Sequence, residues 1–269
     1  MIVASAAADQ PLRLLVETEL DYTFAAPTAV LLQIEAAILP DQVIEHAKIL
    51  LSPTAHFKRI PGHDAIGERI WLDLETRLTV SYQATVALNR DHIPLETLKP
   101  TAPHLIPGEA VDYLMPSRYC QADHFENFVA SEFSGLTGGP AVAAMRDWIA
   151  EHFDYVPGVS TSATGALESF VLRQGICRDY AHMLIAFARA GGIPARFASV
   201  YAPGVNPQDF HALAEVFLEG TWHVVDATGM ASGLDIATIG VGRDAADTSF
   251  LTYFAQAEMV RQEVRVSLI

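Results

Sequence analysis

Residues 175–196, GICRDYAHMLIAFARAGGIPAR, decide how the second half of this chain folds. The sequence Gly-Gly-Ile-Pro at 191–194 is typical of the end of a helix. Before it, apolar residues recur at intervals of three and four, and small or apolar residues fill the other faces. This spacing predicts a helix that is buried on nearly all sides. The apolar residues that set the period are Ile176, Tyr180, Met183, Leu184 and Phe187.

Cys177 lies on the first turn of this predicted helix, directly after a glycine turn. A helix N-terminus carries partial positive charge and unpaired backbone N–H groups, so a thiol placed there is favoured in its nucleophilic thiolate form. A free cysteine is more often a small core residue. The position of Cys177, rather than its residue type, makes it a candidate nucleophile.

A second stretch, DFHALAEVFLEGTWHVVDATG at 209–229, predicts strands over 211–218 and 222–228 with a tight turn between them. A two-residue loop at 219 and 220 sets a register in which position 218 faces 221, position 213 faces 226 and position 211 faces 228. His211 and Asp226 then project from one face as diagonal neighbours, roughly 7 to 8 Å apart at the backbone. A slip of one residue would place them on opposite faces.

A thiol, an imidazole and a carboxylate are the groups that nucleophilic acyl transfer uses. Cys177 would attack a carbonyl carbon, and His211 would hold and relay the proton. Asp226 would orient the ring and stabilise the imidazolium. The order Cys, His, Asp, with the nucleophile on a helix and its partners on a sheet, is that of papain-like enzymes.

The stretches GICRDYAHMLIAFARAGGIPAR, DFHALAEVF and GTWHVVDATG together resemble the bacterial transglutaminase-like family. The resemblance implies a papain-like core with the family's nucleophile at Cys177, its histidine at His211 and its aspartate at Asp226. Leu213 stands where the family often has tryptophan, and Ala227 stands where proline usually follows the aspartate. Because the family includes cross-linking enzymes, proteases, amidases and inactive proteins, the resemblance leaves the reaction open.

The first hundred residues predict a domain of antiparallel strands. Apolar residues take alternate positions over 12–24 and again over 78–88, which favours a sandwich or a small barrel. The predicted organisation is α+β: an N-terminal β domain at 1–100, a proline-rich linker at 101–118 and a transglutaminase-like catalytic domain at 119–269.

Composition limits the partners of this chain. Its 269 residues carry a formal charge of −15, a field that disfavours nucleic acid and anionic membrane surfaces. With Cys120 and Cys177 as the only cysteines, no disulfide framework is expected. Residues 1–10 lack the pattern of a secretory signal, and no apolar run is long enough to cross a bilayer. We therefore expect a cytoplasmic location and a peptide or protein substrate; the oligomeric state stays open.

A metal site is the main alternative use of these residues. The residue types that bind zinc occur here at Cys177, His182, His211, Glu215 and His223, but no close ligand pair of the C-x-x-C or H-x-x-x-H kind occurs. We expect His182 to be a core or edge histidine and His223 to point away from the triad. The sequence thus predicts no metal and no cofactor.

The leading hypothesis is a peptidase or amidase that forms an acyl-enzyme on Cys177. Backbone N–H groups at the helix start would stabilise the oxyanion, an effect worth about 10² to 10³ in rate per donor. Two alternatives remain: a true transglutaminase, in which an amine takes the acyl group, and an inactive binding protein that keeps the fold.

Overall fold

A computed structural model describes residues 11–269, so residues 1–10, in which the sequence predicts no secretory signal, lie outside the described part. The strands of the first half are β1 (Leu12–Phe24), β2 (Thr28–Leu32), β3 (Gln42–Leu51), β4 (His56–Pro61), β5 (Glu68–Leu74) and β6 (Arg77–Leu88). The helices are α1 (Gly108–Val111), α2 (Glu126–Glu132), α3 (Gly138–His152), α4 (Ala166–Leu172) and α5 (Cys177–Ala190). The remaining strands are β7 (Asp154–Tyr155), β8 (Gln174–Gly175), β9 (Ala195–Tyr201), β10 (His211–Leu218), β11 (Thr221–Val225), β12 (Ala237–Gly242), β13 (Leu251–Tyr253) and β14 (Ala257–Leu268). Over the described range, no helix is both long enough and apolar enough to span a bilayer.

Two antiparallel sheets form the N-terminal half. Their strand orders are β14-β1-β6-β3 and β13-β2-β5-β4, and their inner faces share one apolar core. The alternation predicted for β1 and β6 is confirmed, because the even-numbered residues from Leu14 to Phe24 and from Leu78 to Leu88 are buried. The sheets are sandwich-like, and over residues 11–269 they do not close into a barrel.

The end of the chain completes the sheets of its beginning. β14 pairs with β1 along its whole length, from Leu14 opposite Leu268 to Phe24 opposite Ala257, and β13 pairs with β2. The alternation of Val264, Val266 and Leu268 predicts a last strand over 259–268 but not its partner. Both strands come from the segment predicted as the catalytic domain. The domain boundaries predicted at residues 100 and 118 therefore remain a prediction. In the folded protein, β13 and β14 from the C-terminal half complete the two sheets of the N-terminal half.

The second half has an α+β core of the predicted type. Strands β11, β10, β9 and β12 form an antiparallel sheet in that order, and α5 packs across β10 and β9. Every residue of β9 and β10 is buried, as are all residues of α5 from Asp179 to Arg189. The prediction of a helix buried on nearly all sides is confirmed. Because α5 is packed on the sheet, the position and direction of its N-terminus are fixed, and with them the position of Cys177.

Buried polar contacts join the sandwich to this sheet. Tyr201 of β9 is fully buried and its hydroxyl donates to the Ile34 carbonyl oxygen at 2.7 Å, while the Thr18 hydroxyl donates to the Tyr201 hydroxyl at 3.1 Å. The side-chain amide of Gln42 donates to the Thr238 carbonyl oxygen at 2.9 Å and accepts from the Thr238 N–H at 2.7 Å. The two halves are therefore held together by specific contacts as well as apolar packing.

We predict that Tyr201→Phe lowers the free energy of unfolding by about 1 to 3 kcal/mol, because a buried carbonyl oxygen loses its donor. Urea unfolding followed by circular dichroism measures the loss. Tyr253→Phe, at a side chain that is 43% exposed, is the control and should change stability by less than about 0.5 kcal/mol. Equal losses in the two variants would contradict the prediction.

Candidate active site

Asp179 fixes the turn that presents Cys177. The backbone of Ile176 is extended and α5 begins at Cys177, which is partly exposed. The fully buried carboxylate of Asp179 accepts a hydrogen bond from the Ile176 N–H at 2.9 Å, a second from the Ser160 hydroxyl and a third from Arg178 at 3.1 Å. A carboxylate on the first turn of a helix complements the positive end of the helix dipole. These contacts hold the start of α5 in one geometry.

Gly175 is required by the same packing. A Cβ atom at this position would lie 2.6 Å from the Cβ of Asp179, which is closer than real Cβ contacts come. The glycine in the Gly-Ile-Cys sequence therefore allows the capping side chain to lie against the backbone that leads into the helix. Its role is close approach, since its φ is not in the left-handed region.

His211 and Asp226 form a buried pair. The His211 ring donates from Nε2 to Oδ2 of Asp226 at 2.9 Å, and the two side chains are 0% and 2% exposed. The predicted register is confirmed at the turn, where Leu218 faces Thr221. The outer pairs predicted at 213 with 226 and 211 with 228 do not form, because the ladder ends at Val225.

The strand ladder ends at Val225 because Asp226 folds the chain after it into a turn. Its carboxylate accepts from the Thr228 N–H and hydroxyl, each at 2.8 Å, and from the N–H groups of Met230 at 3.1 Å and Ala231 at 2.9 Å. A carboxylate that captures nearby backbone N–H groups in this way competes with strand pairing. The same donors fix the carboxylate opposite His211.

The electrostatics of the pair favour a charged ring. Burial by itself would lower the pKa of His211, but the hydrogen bond to Asp226 and the neighbouring Cys177 thiol outweigh burial and raise that pKa to about 9. Burial raises the pKa of Asp226, but hydrogen bonds from His211 and Thr228 outweigh it and lower that pKa. His211 Nδ1 is buried and has no hydrogen-bond partner of good geometry among the described residues. This nitrogen is therefore the one that is available to the Cys177 thiol.

The other candidates from the sequence lie elsewhere. His182 is fully buried, accepts a hydrogen bond from the Ala245 N–H at 3.1 Å and stacks on Tyr119. His223 Nε2 lies 3.2 Å from the Leu218 carbonyl oxygen. Cys120 is a free, fully buried thiol whose pKa is raised to about 12 by burial. Within residues 11–269, no group of three His, Cys, Asp or Glu side chains is arranged to hold a metal ion.

Sequence reasoning missed three residues of this site. Asp179, at the third position of α5, has the signal of a helix-capping residue. Thr228, two residues after Asp226, has the signal of a local side-chain turn. Tyr155 has no local signal, because only the parallel pairing of β7 with β8 carries it beside Cys177.

Residues 118–227 match the family model of the transglutaminase-like superfamily. This range includes Cys177, His211 and Asp226. The match agrees with the resemblance carried by the three sequence motifs.

A solved structure supports the fold over almost the whole chain, and curated relatives match part of it. The crystal structure of "a Putative Cysteine Protease from Cytophaga hutchinsonii" is 29% identical, covers 97% of this chain and 92% of that one, and superposes with a TM-score of 0.92. An uncharacterized protein of Mycobacterium tuberculosis is 35% identical over 46% of this chain, and one of Mycobacterium leprae is 27% identical over 40%. The matched parts cover 45% and 42% of these mycobacterial proteins, so this chain spans less than half of their length.

We predict that Asp226→Asn lowers the pKa of His211 below its value of about 9, because the ring loses a carboxylate partner. Since folded His211 binds its proton more tightly than in the unfolded chain, the stability it contributes is complete below about pH 6.5 and is lost as the pH rises through about 9. Asp226→Asn should flatten this pH dependence.

NMR titration of the histidine rings and urea unfolding at several pH values measure both effects. Asp123→Asn, at an exposed carboxyl, is the control and should leave the titration of His211 unchanged. An unaltered His211 titration in Asp226→Asn would contradict the assigned pairing.

Proposed function

Residues 118–227 form a transglutaminase-like core, and from that premise we propose that this protein catalyses thiol-dependent acyl transfer. The reaction we favour is hydrolysis of a peptide or amide bond through an acyl-enzyme on Cys177. His211 serves as acid and base, and Asp226 positions its ring. The substrate class is a peptide or protein.

One observation carries this proposal. A thiol at the N-terminus of a buried helix adjoins a histidine ring whose far nitrogen is held 2.9 Å from a buried carboxylate. The raised pKa of His211 favours imidazolium beside the sulfur, which in turn stabilises a thiolate. Such a pair is the reactive form of a cysteine nucleophile.

The chemistry follows from this charge arrangement. The Cys177 sulfur attacks the carbonyl carbon, a C–S bond forms, and the carbonyl electrons move onto oxygen. As the tetrahedral intermediate collapses, the C–N bond breaks and the amine leaves with a proton from His211. Water then gives a proton to His211 and attacks the thioester, which releases the acid and restores Cys177.

Hydrolysis is favoured over transfer to an amine by the similarity to the Cytophaga hutchinsonii protein, which is described as "a Putative Cysteine Protease" and covers 97% of this chain. The steps as far as the thioester are the same for both reactions. The acyl acceptor therefore has to be identified from the products.

We predict that iodoacetamide near pH 7 modifies Cys177 at least about tenfold faster than Cys120, because an imidazolium neighbour activates the first thiol while burial holds the pKa of the second at about 12. Peptide mapping by mass spectrometry measures both rates in one sample. Equal rates would favour an inactive binding protein.

We further predict that Cys177→Ala lowers turnover of a cleaved peptide by at least about 10³-fold, whereas Cys120→Ala keeps turnover within about threefold. A library of glutamine-containing peptides, incubated with and without the amine cadaverine, supplies the assay. Acid products identify a hydrolase, and cadaverine adducts at glutamine identify a transglutaminase. Full turnover in Cys177→Ala would overturn the proposal.

A further inference from the structure

β11 is the edge strand of the sheet β11-β10-β9-β12. Among the described residues it pairs with β10 on one side and with no strand on the other. The two residues of the hairpin turn, Glu219 and Gly220, have positive φ values of 50° and 83°, as in two-residue turns that close on a hydrogen-bonded pair. That pair is Leu218 and Thr221, so Thr221 and every second residue after it bond to β10.

Trp222 and Val224 therefore turn their backbone N–H and C=O groups away from β10. The opposite strand supports this direction, because Phe217, which faces Trp222, donates its N–H to the Pro194 carbonyl oxygen at 2.8 Å instead. Within residues 11–269, no backbone group bonds to the outward groups of Trp222 and Val224. A free edge of this kind is what an added strand pairs with.

A groove of about 960 Å³, the β11 groove, follows this edge. All five residues of β11 line it, together with the segments 89–96 and 231–234. Its volume lies within the range of ligand-binding clefts, about 300 to 1,000 Å³. Asp226 also lines the groove, whereas Cys177 and His211 do not. The groove is therefore separate from the proposed nucleophile and shares only a carboxylate residue with the candidate triad.

Part of the β11 groove is apolar. The Trp222 ring is fixed against Tyr113 and Phe217, with ring centroids 5.2 and 5.1 Å apart, and Ile93, which also lines the groove, is 52% exposed. The side chains of an added strand alternate between two faces. Those on the face of Trp222 and Val224 would lie beside apolar side chains, so apolar residues are favoured at alternate positions.

The charges of the groove favour a basic partner. Among the described residues, each arginine that lines the groove is already bound to a carboxylate that lines it. These ion pairs are Arg90–Asp41 at 2.5 Å, Arg146–Glu96 at 3.5 Å and Arg196–Glu215 at 2.6 Å. Asp91 is exposed, lines the groove and forms no ion pair with any residue from 11 to 269. The formal charge of −15 on the whole chain acts in the same direction.

We propose that the β11 groove binds an extended, basic peptide segment of a partner protein as an added strand. The outward N–H and C=O groups of Trp222 and Val224 pair with the backbone of the segment, and a lysine or arginine of the segment pairs with Asp91. Backbone pairing supplies affinity, while the charge and the alternation of side chains supply selectivity. Binding requires no reaction at Cys177, so it is independent of the proposed function.

Amide hydrogen exchange tests the strand pairing directly. The probe is a synthetic peptide that alternates valine with lysine, and the Cys177→Ala protein is used so that the peptide is not consumed. By NMR, we expect exchange of the Trp222 and Val224 amides to slow at least about tenfold at saturation, because these N–H groups gain acceptors. The His223 amide is the internal reference. Since it already bonds to β10, its exchange should change by less than about threefold.

Fluorescence anisotropy of the labelled peptide measures its Kd. Asp91→Lys should raise the Kd at least about fivefold, because a like charge replaces the carboxylate that pairs with lysine. Asp123→Lys is the matched control: it changes the net charge equally at an exposed position outside the groove, and the Kd should stay within about twofold. A peptide that alternates valine with glutamate should not bind at about 1 mM.

Several results would overturn the proposal. They are unchanged exchange at Trp222 and Val224 with the lysine peptide bound, equal Kd values in Asp91→Lys and Asp123→Lys, and no binding of the lysine peptide at about 1 mM. Slower exchange confined to the residues around Cys177 would assign the peptide to the active site instead. Protection of Trp222 and Val224 that rises with the concentration of the protein alone would identify a second copy as the occupant. None of these results bears on the reactivity of Cys177, which the iodoacetamide rates measure separately.

Discussion

The buried carboxylate of Asp226 is the constraint on which the candidate site depends. Removing a carboxylate from water costs several kcal/mol unless donors replace the lost hydration. Asp226 obtains these donors from the His211 ring, from the Thr228 hydroxyl and from the backbone N–H groups of Thr228, Met230 and Ala231. Because its oxygens are surrounded by fixed donors, Asp226 can hold the ring in one orientation and favour its charged form.

A second buried carboxylate performs the corresponding task on the helix side. Asp179 binds the Ile176 N–H, and through Ser160 and Arg178 it also anchors the segment before α4. The two carboxylates thus fix the two halves of the site, one on the helix and one at the end of the sheet. Packing of α5 on β10 and β9 then sets the spacing between these halves.

The sandwich is structurally continuous with this core. Its apolar interior includes Tyr201, Ala237 and Ile239 from the third sheet, and its edge is completed by β14. The segment predicted as a linker is also packed: Tyr113 is buried, and Arg189 at the end of α5 donates to the Met115 carbonyl oxygen at 3.0 Å. The sheet that carries His211 therefore packs against the sandwich through β9 and β12 and against α5 through β10 and β9, which suits a site that needs a fixed distance between sulfur and ring.

Local pattern by itself determined the helix that opens at Cys177, the alternation of β1 and β6 and the tight turn before Thr221. Each of these features depends on residues that are a few positions apart in the chain, so the spacing of apolar and turn residues predicts it. The sequence also identified Cys177, His211 and Asp226 as candidates, because a motif preserves residue types even where geometry is unknown.

Only the tertiary structure decided which groups meet. The pairing of β14 with β1 and the pairing of Tyr155 with Gly175 both depend on contacts between distant residues. No periodicity encodes such contacts, since a strand's alternation states which face is buried but not which strand lies beside it. The preference of the Asp226 carboxylate for backbone donors over a strand partner likewise emerges only when the chain around it is folded and water is excluded.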